Sequence, residues 1–202
     1  HSALRRCFYP DEGAPRWELV LAISKHTAAG MRAALAERGA GDVPVAAIPL
    51  AHRFGAAAGG EWPQAAADLR GRPFVLVVGT LESRKNHLAL LQAWTLLLAE
   101  GFEPPPMLWV GRDGWRVADL RAQLDATGGL GGRIRLLHGV SDPELAALYA
   151  GAAFTLFPSF TEGWGLPVGE SLSHGTPVLA AMTGAIPEAA GGFARPVDPF
   201  SP

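Results

Sequence analysis

The chain has 202 residues, 49% hydrophobic and 18% charged, which is enough apolar material to bury a sizeable core and too much for a disordered segment. Its net charge of −2, with Arg and Lys scattered rather than striped, gives no footing for nucleic acid or an anionic membrane surface. One cysteine, Cys7, excludes an intrachain disulfide and a cysteine-built metal site, and fits a reducing compartment.

No apolar run approaches the ~18–20 residues of a membrane span. The opening HSALRR has neither an initiator Met nor the apolar core of a signal peptide, and nothing closes the fold at Pro199–Pro202, so the sequence is expected to be part of a longer protein. Residues 1–17 show no clean period. Glu18–Ile23 is expected to be a short buried strand, and Ser24 to cap a helix over Lys25–Arg38 that Gly39 stops. Val43–Leu50 is a second apolar segment, broken by Pro49. Residues 51–73, rich in Ala, Gly and Pro, are expected to be a connection between a first region, 1–50, and a second, 74–202.

The second region is regular. Phe74–Gly79 reads as a buried strand, followed by a helix over Asn86–Glu100 with Leu88, Leu91, Trp94 and Leu98 facing the core. Met107–Val110 is the next strand, Trp115–Thr127 a helix and Arg133–His138 a strand. Ser141, with Glu144 three positions on, forms a capping box for a helix through Tyr149. Phe154–Pro158 leads into a polar turn, a helix carrying Glu170, the turn Gly175–Pro177 and a strand at Val178–Ala181. A short helix at Pro187–Ala190 and a strand within Phe193–Val197 complete the pattern. Strands that are apolar on both faces and alternate with helices predict an α/β fold with a parallel sheet covered on both sides.

Ligands of such sheets bind at the carboxyl ends of the strands, and three stretches there carry chemistry. Gly79–His87 joins a strand to a helix and offers Arg84, a planar donor fork, and Lys85, a compact charge, for a diphosphate. Its single glycine matches neither GxGxxG nor the P-loop, and a solvated loop with two surface cations is the plain alternative. Glu162 and Glu170 lie eight positions apart, one in a loop and one in a helix. Glu170 can accept sugar hydroxyls and Glu162 can support a reacting sugar, with Gly163 and Gly165 allowing a tight backbone between them. Two solvated glutamates are the alternative. Gly111–Gly114 and His138–Val140 end two further strands and can border a base, or be a plain turn and a structural histidine. His52, His87 and His174 have no zinc-binding spacing, and Ser159 lacks a nucleophile-elbow context. Trp94 and Trp109 read as core.

Phe157–Glu170, FPSFTEGWGLPVGE, resembles the donor-site signature of retaining, nucleotide-sugar-dependent glycosyltransferases of the group-1 family (family 4), whose mark is two glutamates with seven residues between them. Val78–His87, Val110–Trp115, His138–Asp142, Gly175–Val178 and Ile186–Gly191 continue the likeness, collinear over roughly residues 18–199. Bacterial mannosyltransferases of cell-surface polysaccharides belong to the same group.

The resemblance implies a Rossmann-like parallel sheet forming the C-terminal half of a two-domain GT-B architecture. Residues 1–50 would be the end of an acceptor-binding domain, 51–73 a linker and 74–202 an incomplete nucleotide-sugar-binding domain. Arg84 and Lys85 would hold the donor diphosphate within the loop that Gly79 and Thr80 begin, and Glu170 would bind the ribose. Glu162 would sit beside the donor sugar, and the backbone of Gly163, Trp164, Gly165 and Leu166 would touch sugar or phosphate. Gly111 and Val140 would border the base pocket; Glu162, Arg84 and Lys85 form the catalytic set. The implied reaction moves a hexose, mannose first, from a nucleotide-diphosphate sugar (GDP-mannose as first choice) to a saccharide or lipid-linked acceptor with retention of configuration, without a metal or other cofactor.

Expected partners are that donor, the acceptor and an acceptor domain outside these residues, through which the whole protein would associate peripherally with the cytoplasmic face of the plasma membrane. The 202 residues alone are expected to bind donor weakly and to be inactive. Two departures stand out. Thr80 replaces the Arg that many relatives carry after the first glycine of the phosphate loop, and Ser171 follows Glu170 where Ala is common. A nucleotide-sugar-binding module without catalysis and a nucleotide-sugar epimerase remain open alternatives.

Overall fold

The computed structural model describes residues 17–51, 61–115 and 117–202. The chain divides into two compact units at Leu50. In the first unit, β1 (Val20–Ala22) and β2 (Val45–Ala47) pair in parallel with Leu21 opposite Ala46, joined by α1 (Lys25–Ala36). Ser24 caps α1, its hydroxyl accepting from the Thr27 amide at 2.9 Å. Ala22, Ala28, Leu35 and Val45 form the small core. The expected burial of Glu18–Ile23 is corrected here. Leu19, Leu21 and Ile23 are exposed, because alternation along β1 turns Ala22 toward α1 and leaves its neighbours on the other side.

Among the described residues, the second unit carries six parallel strands: β3 (Val75–Val78), β4 (Met107–Val110), β5 (Ile134–Leu137), β6 (Phe154–Phe157), β7 (Val178–Ala181) and β8 (Arg195–Val197). Their spatial order is β5-β4-β3-β6-β7-β8, the doubly wound order in which the chain starts in the middle, builds one half outward and returns to build the other. The crossovers are α2 (His87–Ala99), α3 (Ala118–Gly132), α4 (Asp142–Gly151), α5 (Leu166–Ser173) and α6 (Ile186–Ala190).

Alternation along β3 sends Val75 and Val77 to one face and Phe74 and Leu76 to the other. On the first face they meet Leu90, Leu91 and Trp94 of α2 and Trp109 of β4; on the second, Leu148 and Tyr149 of α4. Phe157, Val168, Val178 and Ile186 close a third cluster around α5 and α6. The α/β class with a covered parallel sheet is therefore observed, and the capping box at Ser141 and Glu144 is present.

Three expectations are corrected. Residues 61–73 are not a bare connection, because Gln64–Leu69 forms a 3-10 turn that buries Ala66 and Leu69 completely. Trp62 packs edge-on against Phe74, with ring centroids 5.9 Å apart, and its indole donates to the Ala66 carbonyl at 2.7 Å. The core face of α2 is His87, Leu90, Leu91 and Trp94, while Leu88 points to solvent and Leu98 is half-buried; true i, i+3, i+4, i+7 spacing from His87 selects these four. The helix expected from Trp115 begins at Ala118, since Leu81 and Asp113 bridge and hold the preceding loop to the end of β3. Its right-handed part ends at Thr127, where Gly128, Gly129, Leu130 and Gly131 all turn to positive φ.

Candidate active site

The order of strand addition reverses between β3 and β6, and the loops that leave their carboxyl ends, 79–86 and 158–165, face each other across that switch point. They are fastened together. The Phe160 amide donates to the Arg84 carbonyl at 3.0 Å, and the Arg84 Nη1 donates to the Thr161 carbonyl at 2.8 Å. Asn86, in the left-handed conformation at φ 60°, is buried and donates from Nδ2 to the carbonyls of Pro158 (3.2 Å) and Pro199 (2.7 Å).

Arg84 and Lys85 precede α2 rather than open it, lying in a 3-10 turn, Ser83–Lys85. Glu162 spans the two cations. Its Oε2 is 2.5 Å from Arg84 Nη1 and its Oε1 is 2.7 Å from Lys85 Nζ, with the Glu162 side chain only 10% exposed. Lys85 Nζ also sits 4.7 Å over the Phe157 ring. On the far side of the guanidinium, Arg84 Nη2 pairs with Glu82, which in turn accepts from the Trp115 indole at 2.9 Å. Burial alone would lower the Arg84 pKa, but Glu162 and then Glu82 outweigh it and raise it.

Two glycines make this approach possible. Gly79, at φ 144°, leaves room for the Lys85 stem, which a β-carbon would meet at 3.3 Å. Gly184, at φ 60°, lies against the Glu162 backbone, and a β-carbon there would be 2.7 Å from the Glu162 carbonyl oxygen. The Ala185 amide donates to that same oxygen at 3.1 Å.

Glu170 stands apart from this cluster on α5. It accepts from the Tyr149 hydroxyl at 2.7 Å, and Tyr149 is stacked on His174 with centroids 5.4 Å apart. Burial holds the Glu170 carboxyl above its ordinary range, against the hydrogen bond from Tyr149 and the charges of His174 and Lys85, which pull it down. Burial, followed by the Glu170 charge, pushes the Tyr149 hydroxyl well up, so it remains a donor. Lys85 thus reaches Glu162 by contact and Glu170 by charge.

The other expected site residues line the same edge. Gly111 follows β4 so close to the 79–86 loop that a β-carbon would lie 2.0 Å from the Gly79 carbonyl oxygen. His138 Nδ1 lies 2.6 Å from the Gly111 carbonyl, tying the ends of β4 and β5. Val140, half-buried beside the α4 cap, packs against the core cluster of Leu137, Leu148 and Tyr149. Thr80 is half-buried; in the loop before α5, Gly163 is exposed and Trp164 and Gly165 are buried, while Leu166, the first residue of α5, is exposed. Among the described residues, no group of three or more His, Cys, Asp or Glu side chains could hold a metal, and no helix is long and apolar enough to cross a membrane.

Sequence reasoning did not single out Glu82, Tyr149 or Gly184. Gly184 had a faint signal, an isolated glycine just beyond a strand; the other two had none.

The model of the family described as glycosyl transferases group 1 matches residues 72–199, well over half of the chain. The chain belongs to this family. As a group 1 glycosyl transferase it is 40% identical over 126 residues to the O-antigen chain mannosyltransferase B of Escherichia coli, a match that covers 62% of this chain and 33% of that protein. The chain thus spans about a third of the length of this curated relative. HepE of Anabaena, solved in complex with UDP and glucose, superposes with a TM-score of 0.64 at 22% identity, over 91% of this chain and 50% of its own. A glycosyltransferase from Rickettsia africae gives 0.67 at 18% identity over the same shares. At these identities the superpositions speak for the fold, and the six-stranded unit of this glycosyl transferase is a GT-B-type Rossmann domain.

Proposed function

We propose that the second unit is the donor half of a hexosyltransferase that takes mannose from a nucleotide-diphosphate sugar, GDP-mannose first, and passes it to a saccharide or lipid-linked acceptor with retention of configuration. The observation that carries this reading is the Arg84–Glu162–Lys85 cluster at the switch point of the sheet. Two cations shared by one carboxylate are a seat for an anion of higher charge, and a departing nucleoside diphosphate develops that charge as the sugar leaves. The likeness to a mannosyltransferase supports the choice of sugar.

In this account Arg84 and Lys85 hold the diphosphate within the loop begun by Gly79 and Thr80. Glu162, released from the cations, faces the sugar, and the backbone of Gly163–Leu166 contacts sugar or phosphate. Gly111 and Val140 border the base. Glu170 accepts the ribose hydroxyls, with Tyr149 fixing its carboxylate. Residues 1–50 are proposed to be the end of an acceptor-binding domain, which supplies the second reactant. A cytoplasmic position at the inner face of the plasma membrane belongs to the same proposal.

Transfer is tested with the full-length protein, using GDP-mannose in parallel with UDP- and ADP-linked hexoses and reading the anomeric configuration of the product by NMR. Mannose transfer with the donor's configuration kept is expected, and no steady-state transfer from the 202-residue chain alone. Inverted product, or transfer from the other donors alone, contradicts the reading.

A pH dependence follows from Glu170. Its carboxyl titrates above the ordinary 4.5, and a protonated Glu170 loses the charge that a ribose hydroxyl donates to. Nucleotide affinity is expected to weaken on acidification, beginning at a higher pH than an ordinary carboxylate would allow. Glu170→Gln should bind more weakly throughout and lose this dependence; parallel profiles for the two proteins would count against the assignment.

A further inference from the structure

We propose that Glu82 is a positioning residue for the anion seat, fixing the Arg84 guanidinium in the orientation that meets the donor diphosphate and anchored itself by Trp115. This rests on the donor-site reading above and assigns a residue which that reading does not use.

On charge alone Glu82 is misplaced. A carboxylate paired with a phosphate-binding arginine cancels part of the attraction for an incoming anion. Glu82 and Glu162 together carry as much negative charge as Arg84 and Lys85 carry positive, so the cluster is neutral as it stands. Such a residue helps binding only if its geometric effect exceeds its electrostatic one.

Several observations favour geometry. The Glu82 side chain is 13% exposed and uses both oxygens, one for Arg84 and one for the Trp115 indole. Its backbone lies where the ladder between β3 and β4 continues beyond the strands. There the Leu81 amide donates to the Arg112 carbonyl at 2.8 Å, and the Gly114 amide donates to the Leu81 carbonyl at 2.8 Å. A β-carbon on Gly114 would lie 2.7 Å from the Leu81 oxygen, so that closeness depends on the glycine. Glu82 is therefore a fixed carboxylate on a fixed loop. It takes the outer nitrogen of Arg84, Nη2, while Nη1 faces Thr161 and Glu162. A free arginine side chain loses rotamer freedom when it binds phosphate; one already held in its planar fork loses little.

The two effects predict opposite signs. GDP, UDP and ADP, each with its nucleoside, are titrated into the 202-residue chain and its variants by calorimetry and chemical shift. Positioning predicts that Glu82→Ala weakens the bound diphosphate by about tenfold, the order of one charge-assisted hydrogen bond, and leaves the nucleoside unchanged. Glu82→Gln, which keeps the carbonyl acceptor, should recover part of the loss, and Trp115→Phe should fall between. In an Arg84→Ala background, Glu82→Ala should have no further effect. Tighter diphosphate binding by Glu82→Ala would overturn the proposal in favour of simple charge cancellation. Equal losses for diphosphate and nucleoside would overturn it in favour of a general structural role. An unaltered chain that is folded and binds no diphosphate removes the donor-site reading itself, and the role of Glu82 with it.

Discussion

As the pH falls from 6.5 to about 4, the chain is expected to lose stability through one side chain, His87. The amount is about 3 kcal/mol, from the separation of folded and unfolded pKa values. His87 is 2% exposed, and neither ring nitrogen has a hydrogen-bond partner among the described residues. Its ring meets Trp109 edge-on at 4.9 Å. Burial, and then the charge of Lys85, hold its pKa down at about 4 against the ordinary 6.5. The unfolded chain therefore takes up the proton first. Stability is complete above the unfolded value and is lost as the pH falls towards the folded one. Urea midpoints measured across that window check this against His87→Leu, which keeps the apolar volume and cannot ionise. The variant should be at least as stable near neutrality, because two unpartnered ring nitrogens are gone, and should lack this share of the acid slope. Slopes that stay parallel would show that His87 takes its proton elsewhere.

Opposite signs are expected for two substitutions in the proposed anion seat. Lys85→Met should weaken nucleoside diphosphate binding by roughly 10- to 100-fold, because it removes a charge-assisted contact from a site where the remaining cation is shared by two carboxylates. Glu162→Gln should tighten the same binding by about tenfold, since the carboxylate occupies both cations and must yield them to phosphate. On the proposed placement of Glu162 beside the donor sugar, Glu162→Gln should nevertheless lower the transfer rate of the full-length protein, because that charge is lost. Calorimetry on the two variants separates these effects. Weaker diphosphate binding by Glu162→Gln would mean that Glu162 holds the loop for the donor rather than standing in its place.

The fold was legible because its strands are short, apolar runs bounded by glycine or proline, as in VLVVG at 75–79 and VLAA at 178–181, with helical spacing between them. Covered parallel strands leave few other arrangements for that pattern. Residues 61–73 were misread because Ala66 and Leu69 supply burial without periodicity, and a 3-10 turn offers no apolar face to detect. Leu88 and Leu98 were misassigned because α2 is leucine-rich on every side, so a histidine marks its core face better than its leucines do.

In the candidate site, Arg84, Lys85, Glu162 and Glu170 could be picked out from a local pattern of charges and glycines. Their partners could not. Glu170 is held by Tyr149 from 21 positions away and Glu82 by Trp115 from 33, distances that the parallel crossovers close and no local rule encodes. Pairings of this kind follow from strand order, and strand order was not available from the segments themselves.

The most direct test of the central claim is a titration of GDP, UDP and ADP into the 202-residue chain, with folding checked independently. The account predicts saturable one-to-one binding of at least one of them. Shifts should be confined to the loops at 79–86 and 158–166 and to the surroundings of Glu170, and Lys85→Met should abolish most of the affinity. A folded chain that gives neither heat nor shift with any of the three would contradict it.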